Sequence, residues 1–511
     1  MESSPDSQSS ARGDFLALGA IALGVVVLHV ATNGRYGIHR DELQVLDDAR
    51  HMDWGFVAYP PVTPFIERVA LGLFGMSLIG LRMFSVLAQA AAIVITGLMA
   101  RELGGKRLAQ IVAALAVAVS PLPLFEGTEF QYSSFDYLWC VLIAYFLIRL
   151  LKSPFVKSEE PRWWLAIGAM IGLGMMTKYT MGFFVAGIVG GVLLTPARRY
   201  LKSSWLWGGV ALSLLIFLPN LIWQVRHDLV SLHFLQHIHT RDVGEGRADG
   251  FVRDQFLISA NLFVAPLWLA GLYYFFATPD GKRYRLLSWL YVIAFALYFF
   301  GKGRGYYLAP AYPMLFAGGS VLWGRWIASM STVWLRVVRG VTFTALASGG
   351  VFASAFIIPL NPVISPNNFA LRNNGDFREE IGWTDLVAAV AQIRDSLPPE
   401  ERTHMGILTG NYGETGAINF FGPAYGLPQA ISGTNTAWYR GYGNPPPQVL
   451  IVIGRSREQV ERDFESCRLA GHNGNPYGIK NEESSYHPDI FVCGAPKEPW
   501  PEFWVGYQAY G

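Results

Sequence analysis

At 511 residues, with 52% hydrophobic and 14% aromatic content against 15% charged, the chain is too long and too apolar for one ordinary soluble domain. A formal net charge of +2 and the lack of any long basic run exclude the electrostatic footprint of a nucleic-acid binder. Three cysteines cannot supply a disulfide framework or a CxxC metal site.

Hydrophobic blocks fill residues 15–360, whereas the remainder has the mixed composition of a globular domain. A polar, Ser-rich start (1–13) leads into an apolar stretch at 15–31, close to the roughly 20 residues of a membrane span. His29-Val30-Ala31 is a poor cleavage site, so this stretch is expected to remain as an uncleaved helix. Further apolar segments run at 79–100, 108–125, 135–151, 163–177, 180–195, 205–223, 256–276, 286–300, 308–324 and 341–358. They predict a polytopic α-helical membrane protein with about eleven transmembrane helices, several of them short.

Basic residues sort the loops. Arg101, Lys106 and Arg107, then Arg149, Lys152 and Arg162, then Arg198, Arg199 and Lys202, then Lys282, Arg283 and Arg285, and lastly Arg325, Arg336 and Arg339 fall in alternate loops. The positive-inside rule places these in the cytoplasm. The other loops, at 32–78, 126–134, Lys178, 224–254 and 301–305, are then expected outside, together with the tail from 361. Their charges are mixed: acids at Asp41, Glu42, Asp47, Asp48, Asp53, Glu126, Glu129 and Asp136 accompany bases at Arg226, Lys302 and Arg304.

The expected division is therefore a membrane domain over 1–360, with an outward loop at 32–78, and an outward soluble α/β domain over 361–511. A Pro- and Asn-rich linker at 359–374 separates them. In the tail, 383–397 has helical spacing, 406–408, 449–453 and 490–492 have the look of short buried strands, and 457–467 predicts another helix. Cys467 and Cys493 are a candidate bridge in an oxidising compartment, whereas Cys140 lies in an apolar segment and packs.

No GxGxxG follows a strand, and neither GxxxxGK[ST] nor HExxH occurs, so no cofactor is expected. A divalent metal finds no supporting ligand spacing: His227, His233, His237 and His239 share a loop without an acidic partner at a recognised interval.

Three constellations carry chemistry. The first is Gly37-Ile38-His39-Arg40-Asp41-Glu42-Leu43. Such charges are costly in the bilayer core, so the run belongs at the membrane edge. Asp41 or Glu42 is there either a general base or a solvated loop charge paired with Arg40. The second is Lys178, which interrupts the apolar stretch 163–194 and either serves function or snorkels to the interface. The third is Gly301-Lys302-Gly303-Arg304-Gly305-Tyr306-Tyr307: two cations spaced by glycines that suit a phosphate, or a glycine-rich turn with interfacial anchors.

The first run together with Tyr59-Pro60-Pro61, Ser134-Phe135-Asp136, the 172–179 run, Pro219-Asn220-Leu221-Ile222-Trp223-Gln224 and Tyr306-Tyr307-Leu308-Ala309-Pro310-Ala311-Tyr312-Pro313 resembles bacterial glycosyltransferase family 39 proteins. These belong with the dolichyl-phosphate-mannose protein mannosyltransferases and aminoarabinose transferases of the GT-C fold. Asn411-Tyr412-Gly413-Glu414-Thr415-Gly416-Ala417-Ile418 resembles the outward domain of the bacterial members. The resemblance implies an inverting membrane transferase that takes a monosaccharide from a polyprenyl-phosphate donor to a lipid, glycan or protein acceptor. It places the enzyme in the bacterial inner membrane, among membrane lipids, with its active site and tail on the periplasmic side.

It also implies roles. Asp41 matches the family's catalytic base, with Glu42 beside it and Asp136 as a second acidic residue. Arg40, Lys178, Lys302 and Arg304 match as donor-phosphate cations, and His39, Tyr59, Pro60, Tyr306 and Tyr307 as cavity residues. The tail departs from the β-trefoil insertions of eukaryotic protein mannosyltransferases, so protein O-mannosylation does not follow. Two other classes compete with this reading, a transporter or lipid flippase and a non-catalytic envelope scaffold; no internal repeat of the transporter kind is visible.

Overall fold

A computed structural model describes residues 5–152 and 160–511, so the middle of the inward loop expected between Lys152 and Arg162 lies outside the described residues. The chain divides into two compact units. One comprises Met1–Thr32, Arg82–Arg226 and His239–Ile358; the other comprises Asn33–Leu81, His227–Ile238 and Pro359–Gly511. Spatial grouping thus cuts across sequence order, because the 32–78 loop shares a unit with the tail.

The first unit is a bundle of apolar helices. Among the described residues five helices are long and apolar enough to cross a membrane, or six if one bent pair is a single span. The five are Arg12–Thr32, Leu78–Glu102, Tyr132–Lys152, Ser204–Arg226 and Thr332–Ile357. A helix satisfies its own backbone bonds, which is why stretches of this composition adopt it in hydrocarbon.

Three of the expected spans are broken, for local reasons. The 108–125 stretch splits into Arg107–Ala118 and Pro121–Glu126, because Pro121 and Pro123 cannot donate to a continuing helix. The 256–276 stretch splits into Phe251–Leu257 and Ala265–Ala277. The two breaks satisfy one another: the Asn261 side-chain amide donates to the Val119 carbonyl at 2.7 Å, and the Leu122 amide donates to the Ile258 carbonyl at 3.1 Å. The 308–324 stretch begins as a tight 3-10 turn over Gly305–Ala311 before the helix Tyr312–Ala328.

Small residues let helices approach. A side chain on Gly168 would lie 2.1 Å from the Gly209 carbonyl oxygen, so helices Glu160–Met175 and Ser204–Arg226 meet backbone to backbone. Three of the basic loops meet beside Glu102, which accepts from Lys152 at 2.8 Å and Arg149 at 3.2 Å, while Arg283 donates to the Lys152 carbonyl. Helix Tyr132–Lys152 spans about 30 Å and carries Lys152 at one end and Asp136 near the other. Three basic loops therefore meet at one end of this helix.

The second unit contains a five-stranded sheet in the order β2-β1-β3-β5-β4. Its strands are β1 (Met405–Thr409), β2 (Ala430–Ser432), β3 (Val449–Ile453), β4 (Arg468–His472) and β5 (Asp489–Cys493). β1 runs parallel to both β2 and β3, β5 is antiparallel to β3, and β4 is antiparallel to β5. The expected strands at 406–408, 449–453 and 490–492 are β1, β3 and β5, and helix Trp383–Ser396 lies where helical spacing placed it.

The helix expected over 457–467 is shorter, Arg457–Asp463, because the chain turns through a left-handed Ser466 and enters β4. β2 and β4 lacked a sequence signal, being three residues long and mostly exposed, respectively. Cys467 and Cys493 are bridged and tie the start of β4 to the end of β5. The Pro- and Asn-rich stretch after 359 is packed against the start of the chain's first loop: the Asn368 amide donates to the Tyr36 hydroxyl at 2.7 Å, and Phe377 stacks edge-on with Tyr36.

Candidate active site

In the second unit, helix Arg40–Arg50 opens with a reciprocal cap. The His39 ring accepts from the Asp41 amide, and the Glu42 carboxylate returns to accept from the His39 amide at 2.8 Å. His39 and Glu42 are therefore buried and spent on starting the helix. Asp47 and Asp48 are also buried. Asp41 is the acid of this helix that keeps partial exposure, in the first turn where the helix dipole favours a carboxylate. One partner holds it: the Tyr412 hydroxyl donates to Asp41 Oδ1 at 2.8 Å.

Arg40, read from the sequence as a phosphate cation, is engaged within its own unit. Its guanidinium pairs with Glu482 and Glu483 and lies 4.8 Å above the Tyr412 ring. Tyr59, read as a cavity residue, donates its hydroxyl to Asp48 at 2.8 Å and is buried, as is Pro60. Both therefore help to build the wall behind the helix.

That wall is a charge clamp. Arg440 reaches Asp47 Oδ2 at 2.5 Å and Asp48 Oδ1 at 3.2 Å, and the Asn419 amide donates to Asp47 Oδ1 at 2.8 Å. Burial pushes the Asp48 carboxyl up to about 7, with Arg440 opposing and Asp47 adding to the rise.

The helix that follows β1, Tyr412–Phe421, carries a further buried carboxyl. Glu414 accepts from the amides of Gly410 and Asn411, and Asn411 in turn caps helix Tyr412–Phe421. Burial, followed by the Glu483 charge, pushes the Glu414 carboxyl up to about 8 against those backbone donors. A carboxyl raised in the fold stabilises fully below its unfolded value near 4.5 and loses that contribution as pH rises through about 8. The thermal midpoint of the full chain should accordingly fall between about pH 5 and 8, and fall less steeply in Glu414→Gln. Equal slopes in thermal scans of the two proteins would reject this origin.

The first unit holds the other predicted residues. The Lys178 amine sits over three aromatic rings, 4.9 Å from the Tyr132 centroid, 4.7 Å from Tyr307 and 5.8 Å from Tyr306. The buried carboxylates of Glu126 and Asp136 lie within electrostatic reach of it. Lys178 is thus the cation of an aromatic and acidic pocket and remains partly accessible.

Arg304 is gripped by Asp242 in a bidentate pair at 2.6 and 2.7 Å and approaches the Tyr306 hydroxyl at 3.4 Å. Lys302 stands exposed in a left-handed turn. The geometry adds Tyr132, Glu126 and Asp242 to the residues singled out by spacing, and Tyr412 and Arg440 in the other unit. Arg440 lies in a stretch with no charge pattern of its own, and the resemblance of the 411–418 run gave Tyr412 no role, so their partners emerge only from three-dimensional contact. Among the described residues no group of three or more His, Cys, Asp or Glu side chains is placed to hold a metal ion.

Residues 58–223 match the family described as dolichyl-phosphate-mannose-protein mannosyltransferase. A curated relative, lipid A galacturonosyltransferase RgtD of Rhizobium johnstonii, is 26% identical over 257 residues, 49% of this chain and 52% of its own length. The chain thus spans about half of that relative. Among solved structures, ArnT from Cupriavidus metallidurans bound to undecaprenyl phosphate superposes with a TM-score of 0.59 at 16% identity, over 95% of this chain and 98% of its own. The Archaeoglobus fulgidus oligosaccharyltransferase AglB, in complex with an inhibitory peptide and a dolichol-phosphate, superposes with a TM-score of 0.50 at 11% identity, over 99% and 78%.

Proposed function

We propose that this GT-C-fold chain, a dolichyl-phosphate-mannose protein mannosyltransferase-like membrane protein related to the aminoarabinose transferases, transfers a monosaccharide from a polyprenyl-phosphate donor to a cell-envelope acceptor. The acceptor is a lipid, a glycan or a protein. The reaction takes place at the outer face of the inner membrane, inverts the anomeric carbon, and belongs to a bundle of about eleven spans.

The observation that carries this reading is Asp41. Of the acids on its helix it keeps access while its neighbours are consumed by a cap and a clamp. In the proposed step the acceptor hydroxyl or amine attacks the anomeric carbon and its proton passes to Asp41. The new bond to that carbon forms as the bond to the phosphate oxygen breaks, and polyprenyl phosphate leaves already ionised. No strong general acid is required, which distinguishes the site from the paired carboxyls of a glycoside hydrolase.

In the membrane unit, Lys178 is the cation for the donor phosphate, with Tyr132, Tyr306 and Tyr307 excluding water around it. Arg304 supports the same end through its grip on Asp242, and Asp136 and Glu126 hold the lysine in place. An apolar cavity of about 580 Å³ between helices Glu160–Met175, Met181–Leu194 and Ser204–Arg226, lined by Ile167, Ile171, Val185, Val189, Leu206 and Leu214, is suited to an isoprenoid chain.

The test supplies the purified protein with a panel of polyprenyl-phosphate sugars and follows release of free polyprenyl phosphate. Turnover with one of them is expected, and Lys178→Met should raise the donor KM about tenfold or more while leaving the acceptor KM near its wild-type value. Absence of turnover with every donor in membranes that contain native acceptors would reject the transferase reading. An unchanged donor KM would remove Lys178 from the phosphate.

A further inference from the structure

In the second unit, β1 leads into helix Tyr412–Phe421 and on to β2, while β3 pairs with β1 on its opposite side. The chain therefore leaves β1 at a point where neighbouring connections diverge. In parallel α/β sheets the carboxyl end of a strand at such a switch point is where ligands bind. Tyr412 is the first helical residue beyond that end of β1.

Here the place faces another segment of the same unit. Helix Tyr412–Phe421 lies against helix Arg40–Arg50 with two glycines at the contact, and a side chain on Gly416 would come within 2.4 Å of the Leu43 carbonyl oxygen. A side chain on Gly413 would stand 3.2 Å from Arg40 Cβ. This close approach brings the Tyr412 hydroxyl to Asp41, across 371 positions of sequence, and lays the Arg40 guanidinium on the Tyr412 ring. The tyrosine is half-buried and its hydroxyl is directed at one carboxylate oxygen, the other being the one to take a substrate proton.

We propose that Tyr412 is the positioning residue for the Asp41 carboxylate, so that the tail's α/β sheet is a working part of the transfer site. The inference rests on the assignment of Asp41 as base. The donated hydrogen bond fixes the orientation of the carboxylate, so removing the hydroxyl leaves it freer to turn. Tyr412→Phe keeps the ring beneath Arg40 and deletes only the hydroxyl.

The experiment measures kcat and KM for the full-length protein, with polyprenyl-phosphate sugar as donor, in wild type, Tyr412→Phe and Asp41→Asn. In Tyr412→Phe kcat should fall roughly tenfold with donor KM unchanged. A wild-type kcat, or a change confined to KM, would overturn the positioning role. If Asp41→Asn is inactive while Tyr412→Phe behaves as wild type, the positioning proposal alone falls. If Asp41→Asn turns over normally, the assignment of the base falls and the positioning role falls with it.

Discussion

Asp41→Asn should lower sugar transfer by about a thousandfold or more, with binding of the donor left nearly intact. Asparagine keeps the shape and still accepts from the Tyr412 hydroxyl, so the local fold has no reason to change. It cannot take a proton, and a well-placed general base is worth roughly 10² to 10⁴ in rate. Release of polyprenyl phosphate from a radiolabelled donor checks the rate, and protection of the protein against thermal unfolding by donor checks binding. A variant with normal turnover would show that another group accepts the proton. Glu42 is a poor replacement, because its carboxylate is buried against the His39 amide.

Arg440→Ala should produce the largest loss of stability. Asp47 and Asp48 are adjacent, buried and both paired with this guanidinium. Removing one partner of a buried pair leaves uncompensated charge, at a cost of about 3 to 5 kcal/mol. Here Asn419 and Tyr59 still donate to the two acids, which places the expectation at about 3 kcal/mol. Burial already holds the Asp48 carboxyl near about 7, so mild acid neutralises it and reduces the penalty. The variant should therefore be less stable at about pH 8 than at about pH 6, relative to wild type. Thermal denaturation of the full chain in detergent at the two pH values measures this, and equal destabilisation at both would refute the role of Asp48 protonation.

Loss of rate without loss of stability in Asp41→Asn, set beside loss of stability in Arg440→Ala, separates the group that does chemistry from the clamp that holds its helix. Lys178 tests the donor side independently, since its aromatic partners belong to the membrane unit.

Much of the architecture was legible because its causes are local. A stretch such as 132–152 is helical because hydrocarbon offers no partner for a free backbone, and its apolar composition is visible residue by residue. Strands β1, β3 and β5 were visible as short apolar runs, and the acid-base run at 37–43 was visible because charge at a membrane edge is conspicuous. The breaks at 119–120 and 258–264 were less legible, since each is tolerated through the other: Asn261 and Leu122 satisfy backbone groups that a continuous helix would have used.

Composition and loop charge, then, determined by themselves that this is a polytopic membrane protein with an α/β tail and a charged first loop, because transfer from water and hydrogen-bond satisfaction act over a few residues at a time. Only the tertiary structure decided which charges remain available. It assigned Glu42 to a cap, Asp47 and Asp48 to Arg440, Arg40 to Glu482 and Glu483, and Arg304 to Asp242, and it left Asp41 partly open under the hydroxyl of Tyr412. Pairing between residues hundreds of positions apart depends on how helices and strands pack, and no local spacing records it.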